Sequence, residues 1–129
     1  DATSGVNLSA LGVAYVLFAT SNPGRFRLMF GPQIVDKTCY GSLLEVSSVS
    51  FNLICEGVGA RMKDVGAPPE DLMANTMSAW SSVHGLATLI NDAGFNPETM
   101  GAKSVEELAH HVTASLIDGL GREKVMLES

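Results

Sequence analysis

From Leu72 to Asn91 the chain runs for 20 residues without a charged side chain, and its apolar residues fall on two helical stripes. Met73, Met77, Trp80, His84 and Ala87 repeat at three- and four-residue steps, while Leu72, Ala79, Val83, Leu86 and Ile90 do so on a neighbouring face. A helix apolar on one stripe can lie at the surface of a domain; one apolar on two must be covered from two sides. Glu70 and Asp71 suit the positive N-terminal end of this helix, and Gly94 and Pro97 close it. The chain must therefore supply helices on both sides of a central one.

It has the sequence to do so. Leu8, Leu11, Tyr15, Phe18 and Ala19 keep a helical step, with Asn7 placed as an N-cap and an end expected near Ser21. Asn22-Pro23 starts a short helix, "PGRFRLMF", because proline lacks the amide hydrogen that a first turn leaves unpaired; Gly31-Pro32 ends it. Between Asp36 and Met62 two periods compete. Ser48 to Leu53 alternates like a half-buried strand, but Tyr40, Leu44, Ser47, Phe51, Ile54, Val58 and Met62 hold a helical step over a longer stretch, which predicts a helix. After the Val65–Pro69 breaker cluster and the central helix, Ser104 and Glu107 form a capping box before Val105, Leu108, Val112, Leu116 and Leu120. The expectation is an all-α, five-helix single domain over 1–129.

Composition limits what such a domain can do. With 14 acidic residues against 8 basic ones and a net charge of −6, it lacks the clustered cations that a phosphate lattice demands, which argues against direct nucleic-acid binding. An apolar share of 46% is generous for one small domain, so part of that surface is expected to face a partner subunit or a cavity. Cys39 and Cys55 have neither CxxC nor Cys/His ligand spacing, which fits a reduced, cytoplasmic protein without a metal site. Ala2 to Pro23 carries no charge, yet Ser4, Asn7, Ser9 and Thr20 confine its apolar run to about a dozen residues, short of the ~20 of a membrane span.

No catalytic constellation emerges. His110 and His111 are adjacent and diverge on a helix, so they cannot form an i, i+4 metal pair. His84 differs: it sits on an apolar stripe one turn beyond Trp80, where its ring needs a partner, structural or ligand. "VSSVS" lacks the glycines of a nucleophile elbow, and "EGVGAR" lacks the third glycine of a phosphate loop. Arg25 and Arg27, flanking Phe26, read as a solvated face or an anion clamp. What remains is a concentration of Phe18, Phe26, Met29, Phe30, Phe51, Met73, Met77 and Trp80, which is either core or the lining of a pocket for an apolar or aromatic molecule.

Two blocks, "AYVLFATSNPGRFRLMFG" from Ala14 to Gly31 and "AWSSVHGLATLI" from Ala79 to Ile90, resemble the C-terminal regulatory domain of tetracycline-repressor (TetR) family regulators. The closer resemblance is to the subgroup with a Trp, His-Gly signature, here Trp80, His84 and Gly85. It implies a homodimer, paired through the last two long helices, in which a small effector controls the spacing of N-terminal helix-turn-helix heads on operator DNA. Those heads are not in this sequence, so the expectation is the C-terminal part of a longer cytoplasmic repressor, with no enzymatic activity, cofactor, metal or membrane contact. Carried onto this chain, the ligand-binding set is Tyr15, Phe18, Phe26, Met29, Phe30, Phe51, Cys55, Met77, Trp80 and His84. The dimer set is Val83, Leu86, Ile90, Val112 and Leu116. The alternatives are a stand-alone helical enzyme or carrier using His84 as acid/base, and a purely structural dimerisation module.

Overall fold

The computed structural model describes the backbone of residues 2–30 and 41–120, and the side chains of 3–30, 49–99 and 101–120. The described residues form five α-helices: α1 (Ala2–Ser21), α2 (Pro23–Phe30), α3 (Gly41–Val65), α4 (Leu72–Asp92) and α5 (Val105–Leu120), with short 3-10 turns at Pro69–Asp71 and Pro97–Met100. No strand occurs among the described residues. The Ser48–Leu53 alternation lies inside α3, so the longer helical period prevails. Calls on Cys39 and Tyr40, and on the side chains of Leu44 and Ser47, lie outside the described residues.

α1 and α4 pack against each other at the centre, with α3 and α5 on both. Leu8, Ile54, Val58, Met62, Ala79, Ile117 and Leu120 form one buried cluster, and Val13, Val16, Val83, Leu86 and Ala109 form a second. Ala79, Val83 and Leu86, all on one stripe of α4, are buried in these clusters. On the other stripe Ala87 is buried and Trp80 packs against both clusters, but Met73 and Met77 are 56% and 46% exposed, so the expected cover on that side is only partial.

Local chemistry sets the helix ends. The Asn22 backbone N–H and its side-chain amide both donate to the Phe18 carbonyl, closing α1, while the Asn22 carbonyl accepts from Phe26 and opens α2 behind Pro23. Gly66 ends α3 at φ 71°, a left-handed conformation that glycine adopts freely, with the Ala67 N–H returning to the Met62 carbonyl at 2.9 Å. The Glu107 N–H donates to Ser104 Oγ at 3.1 Å, so the expected cap on α5 forms.

α1 departs from the sequence reading. It starts at Ala2, and Asn7 is an exposed residue inside the helix rather than its cap. The extra turn is held by packing: Ser4 is buried, and Gly5 lies against Arg61 and Ile117. Over Thr3–Ser21 the helix is long and apolar enough by length and composition to cross a membrane, contrary to the dozen-residue estimate. Its Val16 and Ala19 are wholly covered and Leu8 and Val13 nearly so, which is the packing of a core helix in a helical bundle.

Candidate ligand groove

Six rings from four helices converge beside α4. Trp80 and His84, one turn apart, present their rings on the same side. α1 brings Tyr15, α2 brings Phe26 and Phe30, and α3 brings Phe51. His84 lies 5.1 Å from Phe26 and 5.4 Å from Phe30 between centroids, Phe30 stands edge-on to Trp80 at 5.9 Å, and Phe51 reaches Trp80 at 5.4 Å. These are favourable aromatic spacings, and Phe26 is buried among them.

The polar edges of three rings are joined. Trp80 Nε1–H donates to Tyr15 Oη at 3.0 Å, and Tyr15 Oη lies 2.9 Å from His84 Nδ1. Burial pushes the Tyr15 hydroxyl up to about 12, an effect that the hydrogen bond from Trp80 only partly offsets, so it keeps its proton at neutral pH.

Next to this network lies a groove of about 290 Å³ lined by Phe30, Met77, Trp80, Ser81 and His84. That is close to the lower end of small-molecule sites. None of the five lining side chains is an acid, a lysine or an arginine. A second void, within the core between Gly12 and Thr113, measures about 10 Å³, too little for an organic ligand.

The structure sorts the expected ligand set. Phe30, Met77, Trp80 and His84 line the groove. Tyr15, Phe26 and Phe51 stand behind these residues and position them. Phe18 does not join them: it is 37% exposed on another face of α1 and makes no ring contact with the described residues. Met29 is buried and Cys55, a free thiol, is half-buried on α3, and neither lines the groove. Ser81 is the residue that sequence reasoning missed. It falls one turn after Met77 and three residues before His84, so helical spacing alone would have placed it there.

The residues of the expected dimer set differ in burial. Val83 and Leu86, 3% and 8% exposed, pack inside the protomer against Val13, Val16 and Ala109 and keep little surface to offer a partner. Ile90, Val112 and Leu116 are half-buried and keep some. Arg27 forms no anion clamp, because its Nε and Nη2 both donate to Asp92 Oδ1, at 2.8 and 2.6 Å. His110 and His111 are exposed, and among the described residues no group of His, Cys, Asp and Glu could hold a metal ion.

Residues 8–116 match the family model for the tetracyclin repressor-like C-terminal domain. The chain belongs to that family. No curated protein and no solved structure matches significantly. TetR-like C-terminal domains are the regulatory parts of transcription regulators, and the five-helix, all-α architecture of this one is consistent with that class. In this TetR-like domain the ring cluster and its groove occupy the junction of α2 and α4.

Proposed function

We propose that this chain is the effector-binding and dimerisation domain of a cytoplasmic TetR-like transcriptional repressor, and that the groove between α2 and α4 receives a small apolar or aromatic effector. The observation that carries this reading is the groove itself: a concave surface walled by Phe30, Met77 and Trp80, with a hydrogen-bonded histidine at its edge and no charged lining residue. A ligand shifts DNA binding only by its difference in affinity for two states. Helix α2 suits that role, since Phe30 touches the groove while Arg27, on the same short helix, ties α2 to the end of α4. DNA contact belongs to a helix-turn-helix in the parent protein, and a second copy of the chain is the dimer partner.

Trp80 is the one tryptophan of the chain, so its fluorescence reports the groove directly. Titration with small uncharged aromatics is expected to change Trp80 emission saturably, and Met77→Lys, which sets a cation on the groove wall, to abolish the change while preserving the helical spectrum. If every such compound leaves emission unchanged in the wild-type protein, the groove is not the effector site.

A further inference from the structure

The polar side chains of the groove differ in what they are already bound to. His84 is engaged through Nδ1 with Tyr15 Oη at 2.9 Å. Serines within a helix commonly fold the hydroxyl back onto the carbonyl four residues earlier, and two of the three serines of α4 do so. Ser78 Oγ donates to the Ala74 carbonyl at 3.1 Å, and Ser82 Oγ to the Ser78 carbonyl at 2.8 Å. Ser81 does not. It lines the groove, and its Oγ makes no hydrogen bond to the described residues, so one donor and two lone pairs are open to whatever enters. Ser81 is also exposed, one turn beyond Met77 and beside Trp80, which sets its hydroxyl at the solvent rim while Phe30 and Trp80 wall the groove.

We infer that Ser81 is a specificity-determining residue of the groove, and that it selects a neutral aromatic molecule with a hydroxyl group at one end, a phenol or an aryl alcohol. The ring lies against Phe30 and Trp80, and the hydroxyl meets Ser81 Oγ. This rests on the groove being the effector site, and it narrows the ligand class there. A hydroxyl suits a serine in two ways where a carbonyl suits it in one. Ser81 donates to the ligand oxygen, or it turns onto the Met77 carbonyl, as its neighbours turn onto theirs, and accepts the ligand hydrogen. At the rim the ligand hydroxyl keeps water on its outer side, so seating it costs little desolvation. A carboxylate or an ammonium gives up part of a much larger hydration, and no acid, lysine or arginine among the lining residues answers it.

The test uses two probes of nearly equal shape, benzyl alcohol and ethylbenzene, titrated into the full chain and followed by ligand-observed NMR. The two differ in hydration, so the deciding quantity is how each responds to a substitution and not which binds more tightly. Ser81→Ala removes the hydroxyl at an exposed helical position, where alanine is well tolerated. It is expected to weaken benzyl alcohol about three- to five-fold, the scale of one neutral hydrogen bond, and to leave ethylbenzene unchanged. Ser81→Thr keeps the hydroxyl and should preserve the wild-type ratio of the two affinities. An equal loss for both probes in Ser81→Ala, no loss for benzyl alcohol, or a Ser81→Thr ratio matching that of Ser81→Ala would each overturn the inference while leaving the groove as an effector site. Failure of both probes to bind the wild-type chain would instead remove the groove reading on which it stands.

Discussion

The hydroxyl of Tyr15 on α1 and Nδ1 of His84 on α4 lie 2.9 Å apart, so a side chain that never lines the groove controls one that does. The same oxygen accepts from Trp80, which makes Tyr15 the joint between the outermost rings and the central helix.

This joint has an alkaline signature. The Tyr15 hydroxyl titrates near 10 when exposed and is pushed up to about 12 in the folded protein. Between these values the folded state holds a proton that the unfolded state has released, so the stability gained from Tyr15 is complete below pH 10 and is lost as pH rises towards 12. Urea unfolding from pH 9 to 12 should show wild type declining faster than Tyr15→Phe, after the variant's own offset at neutral pH is subtracted. That offset is expected to be about 1–3 kcal/mol, because the indole N–H and the imidazole lose their shared partner. Parallel slopes for the two proteins would mean that the hydroxyl is not held protonated by the fold.

Arg27 and Asp92 form the tie between α2 and the end of α4. Their side chains are 41% and 46% exposed, so the ion pair is worth only about 0.2–1 kcal/mol, and salt should erode it. Arg27 Nη2 also donates to the Asn91 carbonyl at 3.3 Å, near the negative end of α4. Arg27→Ala is therefore expected to cost more than Asp92→Ala in urea unfolding. The Asp92→Ala penalty should shrink in high salt, and a penalty indifferent to salt would show that the charge pair is not its source.

Gly12 lets α1 approach α5. A Cβ at this position would stand 2.6 Å from Thr113 Cγ2. Thr113 cannot easily turn aside, because its Oγ1 donates to the Ala109 carbonyl at 2.9 Å and lies 3.1 Å from Ser9 Oγ. Gly12→Ala is expected to destabilise by about 1–3 kcal/mol through overpacking, despite alanine's helix preference of about 1 kcal/mol. Thr113→Ser removes the obstructing methyl and keeps the hydroxyl. The double variant should recover most of the loss, and a strictly additive result would put the strain elsewhere.

Much of this was legible in the sequence, for a specific reason. Helical period and terminal chemistry are local properties, so Pro23 opening α2, Ser104 capping α5 and Gly94 following α4 could be read from the residues alone. The Trp80 and His84 stripe led to the ring cluster because indole and imidazole on an apolar face need polar partners. Periodicity says which face is apolar and not which neighbour covers it. Phe18 and Tyr15 are three residues apart on α1, yet only Tyr15 turns towards His84. Asn7 has good capping chemistry, but the packing around Gly5 carries the helix past it. Val83 has the apolarity of a subunit seam and is consumed by the protomer instead.

The burial of Val83 changes how dimerisation should be tested. A charge at Val83 would sit inside the Val13, Val16 and Ala109 cluster, unpaired, at a cost of several kcal/mol. Val83→Asp is therefore expected to lower the melting temperature at every protein concentration, whatever the oligomeric state. Leu89 lies on the same helix but is 48% exposed, so it has surface to give to a second copy without serving the protomer core. Leu89→Glu should retain the helical spectrum and shift sedimentation towards the monomer, while Leu89→Met stays dimeric. A Leu89→Glu protein that sediments as a dimer at micromolar concentration would move the seam off this face of α4. A wild-type chain that is monomeric there would remove the dimer proposal altogether.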